Sequence, residues 1–84
     1  MTYFVTFPMR YDTEPHPRGD FVASDLVQVE ADSASDAREL VFLNLGRHWA
    51  FLYDARDINM EFHPRGVTHF INREGELTAF YTNK

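Results

Sequence analysis

The chain has 84 residues, a formal net charge of −5 at pH 7 and no cysteine. One domain of this length buries only a modest core. Disulfides and cysteine-based zinc sites are excluded, and the acidic balance disfavours unspecific binding to nucleic acid or to an anionic membrane. An apolar content of 44%, with eight Phe, four Tyr and one Trp, points to a packed globule rather than a disordered chain.

The N-terminal stretch "MTYFVTFPMRY" has no basic start followed by a long apolar run, so no secretory signal is expected. No segment reaches the length of a transmembrane helix. A domain this small without disulfides favours a cytoplasmic setting.

Residues 2–9 alternate, with Tyr3, Val5, Phe7 and Met9 on one side, and predict a strand that Pro8 ends or places at an edge. The Pro- and Gly-containing stretch "RYDTEPHPRGD" predicts an extended loop. "DLVQVEA" predicts a second strand. "DSASDAREL" then opens a helix over residues 33–45: Ser33 or Asp32 serves as N-cap, Ala34, Ala37, Val41 and Leu45 share a face with Leu40, and Gly46 stands where a helix ends. "HWAFLYD" is expected to be a connection that seals one end of the core. "INMEFH", "VTHFIN" and "ELTAFYT" are expected to form a C-terminal meander. The expected architecture is a single α+β domain over residues 1–84, one helix packed on a mainly antiparallel sheet in the order ββαβββ.

The tetrapeptide "HPRG" occurs twice, at His16–Gly19 and His63–Gly66, each time with a Glu two residues upstream. Pro second and Gly fourth suit a type I turn followed by a left-handed glycine, and "NREG" at 72–75 follows the same glycine rule. Outside the six-residue match the two copies diverge, which excludes a duplicated domain. Read as hairpins, the last two turns pair Met60 with Phe70, Glu61 with His69, His69 with Ala79 and Ile71 with Leu77. One face, under the helix, would then carry Ile58, Met60, Phe62, Phe70 and Phe80. The other would carry Val67, Ile71, Leu77, Ala79 and Tyr81, flanked by Asn59, Glu61, His63 and His69, an apolar surface either available for association or covered by a long loop, residues 10–25 or 47–57. Trp49, Phe51 and Tyr53 could add a binding aromatic patch, and Arg18 and Arg65 at the turn tips could clamp an anion.

Catalytic signatures are absent from the sequence: no HExxH, no nucleophile elbow and no phosphate-cradling loop. No catalytic, metal-binding or cofactor-binding residue is therefore assigned, and no cofactor is expected.

Three stretches, "FPMRYDTEPHP", "VEADSASDARELVF" and "HWAFLYD" before "FHPRG", resemble short uncharacterised proteins encoded by bacteriophages of Actinobacteria. The resemblance spans roughly residues 4–66. Seven Arg against one Lys agree with such a GC-rich genome. The resemblance implies no activity and no catalytic residue. It implies a setting: a small accessory protein in the cytoplasm of an infected bacterium.

The leading expectation is a non-enzymatic protein that acts by protein–protein interaction, either self-association or binding of a host protein. Two other readings stand beside it. One is a nucleic-acid-related role, as an acidic mimic or a weak binder. The other is a small metal-dependent enzyme built on Glu14, His16, Glu61, His63 and His69.

Overall fold

The computed structural model describes residues 1–80. Strands β1 (Thr2–Thr6) and β2 (Val27–Glu30) are joined by a long loop that begins with a 3₁₀ turn at Met9–Asp12. Helix α1 (Ala34–Leu45) leads to β3 (Phe51–Asp54), a second 3₁₀ turn at Met60–Phe62, β4 (His69–Ile71) and β5 (Leu77–Ala79). The class and the order ββαβββ are those expected. The sheet runs β3-β1-β2-β4-β5 and is mixed: β2 and β4 are parallel, and the other neighbours are antiparallel.

Local chemistry explains the helix. The Ser33 hydroxyl accepts the Asp36 N–H at 3.1 Å and so satisfies one of the free donors of the first turn. At the other end the Gly46 N–H donates to the Phe42 carbonyl at 3.0 Å, with φ at +62°. A side chain there would be strained, and its Cβ would stand 3.2 Å from the Arg18 guanidinium. Ala37, Val41 and Leu45 are buried against the sheet, whereas Ala34 is exposed.

The third strand is a correction. It is Phe51–Asp54, inside the segment expected to be a connection, while "INMEFH" forms no strand. A short continuous apolar run such as Phe51-Leu52-Tyr53 fits a strand with both faces occupied as well as it fits a loop. Within "INMEFH" the Asn59 side chain accepts the Glu61 N–H at 3.0 Å. That local bond nucleates a turn in competition with the ladder.

The meander is therefore absent. Because β3 pairs with β1, residues 55–68 must cross the sheet to reach β4 beside β2. The two crossovers, β2 to β3 and β3 to β4, travel in opposite directions across the sheet. Sharing the usual right-handedness places them on opposite faces, α1 on one and the 55–68 strap on the other.

Register then assigns the side chains. Tyr3, Val5, Val27, Val29, His69 and Ile71 face α1, and Thr6, Phe4, Gln28, Phe51, Tyr53 and Phe70 face away. The pairs expected for the last hairpin form: His69 with Ala79 and Ile71 with Leu77. Its turn closes through the Gly75 N–H to the Asn72 carbonyl at 2.9 Å. The pairs Met60–Phe70 and Glu61–His69 do not form, and the expected faces are inverted. Ile71 is fully buried in the core, while Phe62 is 74% exposed, with Met60 and Phe80 also at the surface. Phe7, Tyr11 and Phe21 of the β1–β2 loop complete the core beyond the end of α1.

Candidate functional site

Both "HPRG" segments are turns closed by the Gly N–H to the His carbonyl, at 3.4 Å for Gly19 and 2.8 Å for Gly66. Both histidines are buried rather than solvated. His16 Nδ1 accepts the Arg18 N–H at 3.0 Å, so Nε2 carries the proton and donates to the His48 carbonyl at 2.7 Å. Its ring lies among Phe7, Tyr11 and Phe21. Burial pushes the His16 pKa below the usual imidazole value; the bond to the His48 carbonyl opposes this, and the nearby His48, Arg18 and Arg10 reinforce it.

The arginines explain why the motif recurs. Arg18 Nη1 donates to the Leu43 and Asn44 carbonyls at 3.4 and 3.2 Å, satisfying the C-terminus of α1 where its dipole favours a cation. Arg65 Nη1 lies 3.2 Å from Oδ1 of Asp25, which is 1% exposed. That contact is a charge contact without linear hydrogen-bond geometry. The Asp25 Oδ2 accepts the Val22 N–H at 2.9 Å. In both copies the histidine is a buried plug and the arginine ties the turn to another element. Glu14 and Glu61 are exposed, and among the described residues no group of three or more His, Cys, Asp or Glu is placed to hold a metal.

Asp25, Thr68 and His69 form a buried polar cluster with a composition familiar from nucleophilic catalysis. The Thr68 hydroxyl accepts the Leu26 N–H at 3.1 Å, lies 3.3 Å from the Leu26 carbonyl, and meets His69 Nδ1 at 2.8 Å. Burial lowers the His69 pKa, Asp25 partly restores it and Arg65 lowers it further. All three side chains are buried in the fold, so no reacting group could meet them without opening it. What the cluster does is join the ends of β2 and β4, with the Thr68 and His69 N–H groups both directed to the Leu26 carbonyl.

The residues expected to form an association surface are dispersed. His69 and Ile71 are core residues, and Val67 is half-buried. Leu77 lies on the α1 side of edge strand β5, and Tyr81 lies outside the described residues. Trp49 packs on the core, donates Nε1–H to the Gly46 carbonyl at 2.9 Å and meets Phe42 edge-on. Arg18 and Arg65 are committed to the contacts above. Among the described residues of this set, Tyr53 lines a concavity beside the strap.

That concavity is a groove of about 760 Å³ between the strap and the end of β1. It is lined by Phe7, Pro8 and Met9 after β1, by Phe51 and Tyr53 of β3, and by Ile58 and Phe62 of the strap. Met9, Phe51 and Phe62 are 80%, 62% and 74% exposed, so the groove's lining leaves much apolar surface open to solvent. The charged lining residues are Asp12 and Asp57, with no Lys or Arg among the described lining. The sequence carried two signals for this site: the aromatic residues Phe51 and Tyr53 of the expected patch, and Phe62 in "INMEFH", just after a turn-nucleating Asn59, where alternation need not mean a strand.

Searches against protein-family models, curated proteins and solved structures return no match. Among the described residues no helix is long and apolar enough to cross a membrane.

Proposed function

We propose that this chain is a non-catalytic interaction protein that docks on another protein through the groove walled by Phe51, Tyr53, Phe62 and Met9. The observation that carries the reading is the concentration of exposed large apolar side chains around one concave site. Exposed apolar surface gathered this way on a small domain is a common mark of a binding site. A distinct partner is favoured over a second copy, because two chains of charge −5 repel and, among Asp, Glu, Lys and Arg side chains, the groove's described lining holds two carboxylates and no cation. The setting implied by the sequence resemblance, a phage accessory protein acting in a bacterial cytoplasm, belongs to the same proposal.

Position-specific photocrosslinking tests it. A photoreactive phenylalanine analogue in place of Phe51 or Phe62 is expected to give a discrete covalent adduct in bacterial extract. The same analogue in place of Glu39, exposed on α1, is expected to give none. Equal labelling from all three positions, or none from the groove positions, would remove the basis of the reading.

A further inference from the structure

The chemistry of the groove restricts what can occupy it. Three features bear on it. The walls are apolar and aromatic, so the occupant must bring a bulky apolar group. The lining carries Asp12 and Asp57; Arg56, 3.2 Å from Asp54, also interacts electrostatically with Asp57, so Asp12 is the carboxylate without a neighbouring arginine in the described lining. Asp12 is also fixed in place, because its Oδ1 accepts the Ala23 N–H at 3.1 Å. Finally, Met9, Phe51 and Phe62 line the groove and are largely exposed. A compact small molecule would leave much of this surface wet, whereas a chain segment would cover it.

We propose that the occupant is a cationic apolar peptide segment, with a large aliphatic or aromatic side chain seated between Phe51 and Phe62 and flanking Lys or Arg side chains meeting Asp12 and Asp57. The proposal rests on the reading of the groove as a docking site and specifies its partner. The apolar anchor provides most of the affinity. The carboxylates select the sign of the flanking charge and speed the encounter, an effect that salt screens.

The test uses fluorescein-labelled heptapeptides and the full chain, read by fluorescence anisotropy. One peptide has a Leu-Trp-Leu centre with two Lys on each side. A second has the same centre flanked by Glu, and a third has the Lys flanks around a Gly-Ser-Gly centre. The Lys-flanked apolar peptide is expected to bind, and the other two at least ten-fold more weakly. Asp12→Asn with Asp57→Asn is expected to weaken the first peptide about five-fold, as befits two exposed ion pairs. Asn at position 12 keeps an oxygen for the Ala23 N–H, so the fold is retained. Phe62→Ser, at an exposed position, is expected to abolish binding.

If the Lys- and Glu-flanked peptides bind equally, the double Asn variant changes nothing and Phe62→Ser still abolishes binding, the groove docks apolar segments but the cationic specification is wrong. If the Gly-Ser-Gly peptide binds as well as the apolar one, or Phe62→Ser has no effect on any peptide, both this inference and the groove reading fail.

Discussion

The two faces of the sheet are built from alternate residues of the same strands, yet they end in opposite states. On the α1 face, Val5, Val27, Val29 and Ile71 are fully buried beneath Ala37, Val41 and Leu45. The β1–β2 loop extends that cover with Phe7, Tyr11 and Phe21. On the other face the cover is a strap without regular structure beyond one short 3₁₀ turn, and Phe51, Met60 and Phe62 remain exposed. A helix presents a continuous apolar stripe that can close a sheet face. A strap whose backbone is spent on turns anchors at a few points, here His63 and Arg65, and leaves a groove beside them. The difference separates residues that hold the fold from residues free to bind.

The largest expected effect comes from the closed face. Ile71→Ala should cost about 2–5 kcal/mol of unfolding free energy in chemical denaturation, the range for a fully buried aliphatic truncation. A loss below about 1 kcal/mol would mean that Ile71 is not in the core. Next is the anchor of the strap. Arg65→Ala leaves the buried Asp25 carboxylate without its cation. Because Arg65 is half-exposed, the expected loss is about 1–3 kcal/mol, below that of a fully buried pair. Asp25→Asn with Arg65→Ala should cost less than Arg65→Ala alone, since no orphaned charge remains.

The closed face also predicts a pH response. His16 and His69 both have folded-state pKa values below the ordinary imidazole value, chiefly through burial. At these two histidines the folded state therefore binds fewer protons than the unfolded state as the pH falls below about 6.5. Their effect on stability should be flat above that pH and destabilising as the pH falls from it toward the folded pKa values. Titration of the ring signals by NMR should place both midpoints below those of an unfolded control; a midpoint at or above the control for His16 would contradict its buried neutral tautomer. The smallest effect belongs to the open face: Phe62→Ala should change stability by about 0.5 kcal/mol or less, while removing a wall of the groove.

What was legible in the sequence was local. Ser33 and Gly46 marked the ends of the helix, and the Gly at position 75 marked the last hairpin, whose register followed. What failed was non-local. Whether Phe51–Asp54 or the "INMEFH" segment supplied the third strand depended on which could pair with β1, a partner more than forty residues away. That one exchange converted a meander into a crossover, made β2 and β4 parallel, and turned Ile71 and His69 inward. The Arg and His of "HPRG" were unreadable for the same reason: their partners, the Leu43 and Asn44 carbonyls, the His48 carbonyl and Asp25, are distant in sequence. Pro and Gly, which serve the turn itself, were explained at once.

The most direct measurement is fluorine NMR of the chain with fluorophenylalanine at its eight Phe positions, recorded with a soluble paramagnetic quencher and then with the Lys-flanked apolar peptide. Phe51 and Phe62 should be quenched in the free protein, with Phe7 and Phe21 protected. The peptide should shield Phe51 and Phe62 while leaving Phe42, exposed on α1, as accessible as before. Shielding of Phe42 in their place, or a free protein in which Phe51 and Phe62 are already protected, would contradict the assignment of the strap-side groove as the binding face.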